Sequence, residues 1–205
     1  MHGDYPTNVA MGDLNGDGIQ DLVTANTNTV SVLLGIGDGT FVPKVDYSIG
    51  TDSFSVALGD LNGDGILDLV AATRLDSSTV GVLLGAGDGT FATKIDYPTG
   101  RQPFSVALGD LNGDGKLYIV SANQVSDTVS VLLGIGDGSF AGKVDYPTGK
   151  EPIWVALGDL NGDAKLDIVS ANRTADTVSV LLARAMGPLL PRWTTEPGVA
   201  RIRWR

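Results

Sequence analysis

Residues 60–68 read DLNGDGILD, and further copies of this stretch begin at Asp13, Asp110 and Asp159. Asp, Asn and Asp provide side-chain oxygens at loop positions 1, 3 and 5, and position 9 carries a further carboxylate. The Gly at position 6 permits a positive φ, and the residue at position 7 can offer its backbone carbonyl. Such a set of oxygen donors is typical of a loop that wraps a hard cation. The sequence therefore predicts four loops that bind Ca²⁺ as the cofactor.

The predicted calcium ligands occupy positions 1, 3, 5, 7 and 9 of each copy. In chain order they are Asp13, Asn15, Asp17, Ile19 and Asp21 in loop 1; Asp60, Asn62, Asp64, Ile66 and Asp68 in loop 2; Asp110, Asn112, Asp114 and Lys116 in loop 3; and Asp159, Asn161, Asp163, Lys165 and Asp167 in loop 4. Loop 3 carries Tyr118 at position 9, and loop 4 carries Ala164 in place of the position-6 Gly. We therefore expect unequal sites, with loop 3 the first to lose its ion.

Two other kinds of cation loop that open with similar residues are excluded by the chain on the C-terminal side of each copy. An EF-hand needs an acid at position 12, where this chain has Thr24, Ala71, Ser121 or Ser170. A dockerin-like pair of loops, like an EF-hand, continues into helices. Here residues 67–72 read LDLVAA, a short apolar run with no helical period. The loops are therefore predicted to join strands.

The composition indicates a globular all-β repeat protein. The chain has 205 residues, of which 42% are hydrophobic, and this is enough for one sizeable core. The 28 glycines, few aromatic residues and no sustained helical pattern favour many short strands joined by tight turns. Because the chain has no cysteine, disulfides and thiol chemistry are excluded. Bound metal is therefore the remaining candidate for a cross-link that stabilises the fold.

The net charge of −10 is concentrated in the loops, which hold 11 of the 24 acidic residues. Four Ca²⁺ ions would offset most of this charge. No basic stripe crosses the repeats, so nucleic acid is not an expected partner. No apolar run reaches the roughly 18 residues that a membrane span needs. Residues 1–4 carry no signal-peptide pattern, so we expect that either a signal peptide was removed or the protein is not secreted from this start.

The copies begin 47 to 50 residues apart, a period typical of propeller blades or of long helical repeats, and the strand content favours a propeller. In the second copy we predict strands a to d over residues 55–59, 67–72, 79–84 and 91–97. Strand c is an almost unbroken apolar run, which predicts burial on both faces. Asp88 and Gly89 predict the turn between strands c and d. The predicted fold is an all-β β-propeller of four-stranded antiparallel blades, with four repeats in this chain.

The loop pattern D-x-N-x-D-G-x-x-D, the Phe/Leu-Gly turns and the four-stranded unit resemble the FG-GAP/VCBS repeats of integrin α-subunit-type β-propellers. The resemblance covers residues 1 to about 182. It implies a cation loop between strands a and b, which agrees with the strand assignment. It also implies a role in binding or cell adhesion, outside the cell or at its surface. Complete rings in that family commonly have about seven blades, so the resemblance leaves ring closure open.

The two ends depart from the repeat. Residues 4–7 read DYPT, as the end of strand d does in residues 96–99, while the fourth copy stops after strand c at Leu182. The N-terminal stub could complete the last blade, two chains could join into an eight-bladed ring as a homo-oligomer, or the chain could be a fragment of a longer array. Because the stub is short, we favour self-association over closure by the stub. Residues 183–205 form a non-repeat basic tail that we predict to be disordered.

Catalysis has little support, and we expect the protein not to be an enzyme. The one histidine, His2, lies next to the chain start, so neither a Ser-His-Asp nor a His-metal arrangement can be built. Two carboxylates acting on a polysaccharide stay a third hypothesis, although the obvious carboxylates are assigned to metal. A binding or adhesion module for a glycan or protein ligand is the first hypothesis, and a structural repeat fragment or oligomerising scaffold without its own ligand is the second.

The predicted ligand face is the one where the repeats differ. In a propeller the a–b and c–d turns lie on one face, and here their sequences are nearly the same in every copy. The b–c turns and the d-to-a linkers lie on the other face, and their sequences differ between copies. Neutral drift of exposed loops would produce the same pattern. The candidate ligand-binding residues on the variable face are Arg74, Asp76, Arg101, Gln102, Lys150, Glu151, Trp154 and Arg173. Trp154 replaces the small polar residues of the other copies. It is either a platform for stacking a sugar or a core filler.

Overall fold

The computed structural model describes residues 5–74 and 78–183. Asp76 and the tail from residue 184 onward lie outside these ranges, so the predictions made for them are not addressed by it. Within the described ranges every regular element is a β-strand, and every pair of neighbouring strands is antiparallel. They contain no helix long and apolar enough to cross a membrane.

The described residues contain fifteen strands, which form four sheets that succeed one another along the chain. Sheet I contains β1 (Asn8–Gly12), β2 (Asp21–Ala25), β3 (Thr29–Leu33) and β4 (Val45–Ser48). Sheet II contains β5 (Ser53–Gly59), β6 (Asp68–Thr73), β7 (Thr79–Leu83) and β8 (Ile95–Pro98). Sheet III contains β9 (Pro103–Gly109), β10 (Tyr118–Asn123), β11 (Thr128–Leu132) and β12 (Val144–Pro147). Sheet IV contains β13 (Pro152–Gly158), β14 (Asp167–Asn172) and β15 (Thr177–Leu181).

Each sheet keeps its strands in sequence order, and the sheets pack face to face in a propeller-like arrangement. The first strands pack against each other in the order β1, β5, β9, β13, and three hydrophobic clusters fill the spaces between successive sheets. The predicted burial of the third strand on both faces is confirmed in sheet II, where all of β7 is buried. Among the described residues no strand of sheet I packs extensively against sheet IV, so these residues form an open arc.

Close approach of the sheets depends on a glycine at the end of the first strand. A Cβ on Gly12 would lie 2.4 Å from the Leu67 side chain, and one on Gly109 would lie 2.7 Å from Leu157. The matching Gly158 in sheet IV has no such neighbour within 4 Å. Glycine is therefore required where a leucine of the next sheet packs onto the strand. At Gly158 this surface is open.

Two predicted boundaries are wrong in their details. Strand d of the second copy begins at Ile95 rather than at residue 91, because Phe91 instead forms an isolated bridge with Gly85 that closes the c–d turn. Strand a begins earlier than predicted, at Ser53, and contains a register shift between Ser53 and Ser55. The placement of each predicted cation loop between the first and second strands of its sheet is confirmed.

The N-terminal stub does not have the position of an outer strand. The Thr7 backbone N–H donates to the Ala25 carbonyl at 2.8 Å, so the stub lies beside β2. In sheet II, residues 99–102 separate the outer strand from the next sheet, whereas only Thr7 separates Pro6 from β1. A sheet of four strands is about 14 Å wide, and one residue spans less than about 4 Å. Closure of sheet IV by this stub therefore conflicts with its anchoring at Ala25.

Candidate functional site

The four cation loops share one curled conformation, set by hydrogen bonds from the backbone to their own side chains. In loop 2 the Asp60 carboxylate accepts from Gly63 N at 2.7 Å and from Gly65 N at 2.9 Å. The Asp64 carboxylate accepts from Ile66 N at 2.8 Å. Gly63 and Gly65 have φ of +79° and +82°, so positions 4 and 6 both need left-handed backbone. Sequence analysis identified this requirement at position 6 only.

The carboxylate at position 9 has a structural role that sequence analysis missed. Asp68 is fully buried; its Oδ2 accepts from Leu61 N and its Oδ1 from Gly85 N, both at 2.8 Å. Asp21 and Asp167 make the same two kinds of bond in loops 1 and 4. One side chain thus ties the a–b loop to the c–d segment. The signal available in the sequence was the apolar context on both sides of this aspartate.

Loops 3 and 4 depart from the others as their sequences predict. Tyr118 places a buried ring where the other loops have the carboxylate, and burial, together with the charges of Asp114 and Asp110, raises its pKa to about 12. Ala164 adopts a φ of +62°, a conformation that strains a residue with a Cβ. Loop 3 therefore offers less negative charge than loop 2, and loop 4 stores backbone strain.

Among the described residues, no lysine or arginine forms an ion pair with an acid of the cation loops. Burial raises the pKa of Asp68; hydrogen bonds from Gly85 and Leu61 oppose this, and the charges of Asp64 and Asp60 add to it. In Asp13 a backbone hydrogen bond from Gly18 has the largest influence and lowers the pKa. Across residues 5–74 and 78–183, the ion pairs formed by Lys and Arg all involve acids outside the cation loops.

The donor chemistry of the loops fits Ca²⁺. Their side-chain donors are oxygens, and each carboxylate oxygen that accepts one N–H keeps a further lone pair for a cation. Positions 1, 3, 5, 7 and 9 would hold the ion. However, in the part of the chain that the structure describes, no three carboxylate, imidazole or thiol groups are gathered as a metal site. The calcium sites therefore stay a prediction.

The predicted division of the turns between two faces is present in the structure. On one face, c–d turns contact the cation loop of the preceding sheet, because Gly89 N donates to the Leu14 carbonyl at 3.1 Å. On the other face, b–c turns contact linkers, because Gln124 N donates to the Gln102 carbonyl at 2.9 Å and Arg173 N to the Glu151 carbonyl at 2.8 Å. The repeated loops and the variable loops therefore lie at opposite ends of the strands.

Arg74 and Gln102, two of the candidate ligand residues, are brought together across sheets II and III. The Arg74 guanidinium lies 5.2 Å from the ring centroid of Phe54 and 5.5 Å from that of Phe104, and the two rings stack at 4.5 Å. Its Nε donates to Gln102 Oε1 at 3.4 Å, and it pairs with Asp52 at 3.4 Å. Arg74 thus clamps neighbouring sheets, a role and an aromatic pair that sequence analysis missed.

The remaining candidate ligand-binding residues differ in whether their side chains already form ion pairs. Glu151 pairs with Arg173 at 2.6 Å, and hydrogen bonds from Thr174 and then Arg173 lower its pKa. Arg101 and Lys150 are exposed. The linker residues Gln102 and Glu151 both have a φ of +55°, and Asp52 has +63°, so the linkers hold non-glycine residues in a rarely used conformation.

Trp154 lies on β13 opposite Ala171 and is 50% exposed, which contradicts its interpretation as a core filler. Its counterparts Ser55 and Asn8 each accept a hydrogen bond from a backbone N–H of the next sheet, Ser55 from Val106 N at 3.1 Å. An indole ring has no acceptor for such a bond. Trp154 therefore marks the open end of the arc, near the linker end of β13.

Comparison with known proteins identifies a repeat family and a fold. The chain matches the FG-GAP-like repeat over residues 13–71, 60–121 and 111–170. No curated protein sequence matches it. Among solved structures it is similar to a protein of unknown function from Desulfotomaculum acetoxidans, with 14% identity, a TM-score of 0.65, and coverage of 94% of this chain and 56% of that one.

Two further solved structures are similar at low identity. One is an Agrocybe aegerita lectin that recognises non-reducing terminal N-acetylglucosamine, with 24% identity, a TM-score of 0.55, and coverage of 84% of this chain and 47% of that one. The other is a protein of unknown function from Bacteroides caccae, with 14% identity, a TM-score of 0.52, and coverage of 89% and 58%. The chain spans about half of each matched structure. At these identities the likeness shows the fold alone.

Proposed function

Because the chain belongs to the FG-GAP-like repeat family, we propose that it is a calcium-stabilised binding module that acts outside the cell or at its surface. The observation that carries the proposal is the division between faces. One face holds four near-identical acidic loops, whose carboxylates form no ion pair with a basic side chain among the described residues. The other holds linkers and b–c turns that differ between repeats and present exposed basic groups such as Arg101 and Lys150.

In this proposal calcium stabilises the fold, and the variable face meets the ligand. When bound, the ion would supply positive charge between the a–b loop and the carboxylate at position 9. A glycan or an acidic protein segment fits a rim that carries Arg, Lys and amide donors, because these groups bind carboxylates and hydroxyls by hydrogen bonds. No residue is assigned a catalytic role.

A glycan array, probed with and without Ca²⁺, tests the proposal. Glycans ending in N-acetylglucosamine are sensible first probes, since the Agrocybe aegerita lectin recognises that sugar. We expect Arg101→Ala and Lys150→Ala to weaken binding with little change in melting temperature. Lys44→Ala, an exposed basic change beside β4, is the matched control and should leave binding intact. Equal binding by all four proteins would contradict the assignment of the face.

The ends of the arc support a second candidate, an oligomerising scaffold. Val9 and Met11 on β1 are 57% and 69% exposed, whereas Val56 and Val106, the counterparts of Val9, are buried against a neighbouring sheet. Gly158 is open at the other end. A second copy placed head to tail would cover both surfaces and extend the arc toward a larger ring. Light scattering should then show an oligomer that Met11→Lys dissociates, while a monomer at high concentration would contradict this candidate.

A further inference from the structure

The c–d turn of sheet II is held at both ends by cation loops of two different sheets. This turn, turn II, covers residues 85–91 and is closed by a bridge between its first and last residues. At one end the Gly85 N–H donates to the position-9 carboxylate of loop 2, Asp68, at 2.8 Å. At the other end the Gly89 N–H donates to the Leu14 carbonyl of loop 1 at 3.1 Å. Turn II therefore joins loop 1 to loop 2.

The contact with loop 1 reaches the predicted cation ligands of that loop through one residue. Leu14 accepts from Gly89 with its carbonyl, and its own N–H donates to the position-9 carboxylate of loop 1, Asp21, at 2.8 Å. Leu14 is 3% exposed and Gly89 is buried, so water competes little for these bonds. A path of hydrogen bonds and one closed turn thus runs from Asp21 of loop 1 to Asp68 of loop 2.

The path continues to sheet III and ends there. The Leu61 N–H of loop 2 donates to Asp68 at 2.8 Å. The Leu61 carbonyl accepts at 3.2 Å from Gly138, which lies in turn III, the c–d turn of sheet III over residues 134–140. At its other end turn III meets loop 3, which has Tyr118 in place of the carboxylate. Loop 3 therefore has no position-9 carboxylate with which to hold turn III.

We propose that calcium binding in loops 1 and 2 is positively coupled through turn II, and that Tyr118 excludes loop 3 from this coupling. The inference rests on the proposed calcium role of the loops. With an ion bound, loop 1 loses its internal charge repulsion, and its Leu14 carbonyl is held in place to seat turn II. A seated turn II holds Asp68, so loop 2 loses less freedom when its own ion binds. Linkage makes the effect reciprocal.

Loops 2 and 3 provide an internal comparison for loops 1 and 2. The two pairs are related in the same way, since Gly138 donates to Leu61 as Gly89 donates to Leu14. Repulsion between bound ions is therefore similar in the two pairs, and it weakens binding in both. A difference in coupling between the pairs is then caused by the position-9 carboxylate, which loop 3 lacks.

Calcium titration of the full chain, followed by NMR, tests the coupling. The amide resonances of Gly65 and Gly115, at position 6 of loops 2 and 3, report calcium binding by each loop separately. Asp17→Ala removes an exposed carboxylate of loop 1, and we expect the affinity of loop 2 for calcium to fall about fivefold or more. Asp114→Ala is the matched change in loop 3 and should leave the affinity of loop 2 unchanged.

Two glycine variants test turn II without changing a cation ligand. A Cβ on Gly89 would lie 2.7 Å from the Leu34 side chain, so Gly89→Ala should unseat the turn. The effect of Asp17→Ala on loop 2 should then shrink to less than about twofold. Gly39→Ala is the matched control in sheet I, because Gly39 has a φ of +88° but nothing within 4 Å of its Cβ. It should leave the coupling unchanged, and an equal loss in both variants would overturn the role of turn II.

Tyr118→Asp should extend the coupling to loop 3. It restores the carboxylate that the other three loops have, so turn III is held at both ends. In this background Asp114→Ala should weaken calcium binding by loop 2. Absence of any calcium-dependent shift would overturn the calcium role and the coupling together. Calcium binding by loops 1 and 2 with independent affinities, or equal effects of Asp17→Ala and Asp114→Ala in the parent chain, would overturn the coupling alone.

Discussion

Loops 2 and 3 begin with the same residues, DLNGDG, and adopt the same curl, yet position 9 is Asp68 in one and Tyr118 in the other. In both loops the first aspartate accepts hydrogen bonds from the glycines at positions 4 and 6. The curl is therefore set by positions 1 to 6 and does not need the last carboxylate. The two loops differ in the carboxylate that links the a–b loop to the c–d segment by hydrogen bonds, and in the negative charge available to a cation. The comparison separates the folding role of the loop from its predicted metal role.

Calcium removal should have the largest effect. With dissociation constants of order 10⁻⁴ M and about 1 mM Ca²⁺, each filled site adds roughly 1.5 kcal/mol, so loops 1, 2 and 4 together add about 4 to 5 kcal/mol. Urea unfolding in Ca²⁺ and in EDTA measures this difference. Native mass spectrometry should show three ions before a fourth, since loop 3 lacks the last carboxylate. Superimposable unfolding curves would contradict the metal role of all the loops.

Asp68→Ala should have the next largest effect, even without metal. It leaves the N–H groups of Leu61 and Gly85 without their acceptor in a buried site, at a cost of about 3 kcal/mol. Urea unfolding in EDTA isolates this cost from any effect of calcium. Asp64→Ala is the matched control, because that carboxylate is exposed and should matter mainly when calcium is present. If Asp68→Ala leaves the free energy of unfolding in EDTA unchanged, the hydrogen bonds from Leu61 and Gly85 to this carboxylate do not stabilise the fold.

Much of the fold could be predicted because the same sequence pattern recurs four times along the chain. The loop positions, the antiparallel four-strand unit and the separation of the two faces follow from periodicity and from alternating turns. Strand d was predicted too long because Phe91 is as apolar as a strand residue, although it only bridges to Gly85. A propensity argument cannot distinguish a single bridge from a continuing ladder.

The site was less predictable because its contacts cross between sheets. Nothing in the local sequence shows that Arg74 would lie over two stacked phenylalanines, since Phe54 and Phe104 belong to different repeats. The second role of Asp68 was hidden for the same reason, as Gly85 comes a whole strand later in the chain. Trp154 could be identified as unusual by aligning the repeats, but its exposure depends on the absence of a fifth sheet from the described arc.

Ala164→Gly tests whether loop 4 is a weakened form of loop 2. Alanine at a φ of +62° costs about 1 kcal/mol relative to glycine, so the substitution should stabilise the protein by about that amount. Gly115→Ala introduces the same strain in loop 3 and should destabilise by a similar amount. Thermal or urea unfolding in EDTA gives both values. A loss of stability on Ala164→Gly would show that the surrounding loop has adapted to the methyl group.

Tyr118→Phe should have the smallest effect and makes the comparison between loops 2 and 3 sharpest. The ring is buried, and none of the influences on its pKa is a hydrogen bond, so removing the oxygen should change stability by less than about 0.5 kcal/mol in EDTA. The phenol also stays neutral at ordinary pH, since burial, with the nearby Asp114 and Asp110, raises its pKa to about 12. It therefore cannot replace the charge of Asp68, and the affinity of loop 3 for its ion, measured by calcium titration calorimetry, should not change. A fall in that affinity would mean that the phenol oxygen acts as a neutral ligand, and loop 3 would then be a calcium site of a different design.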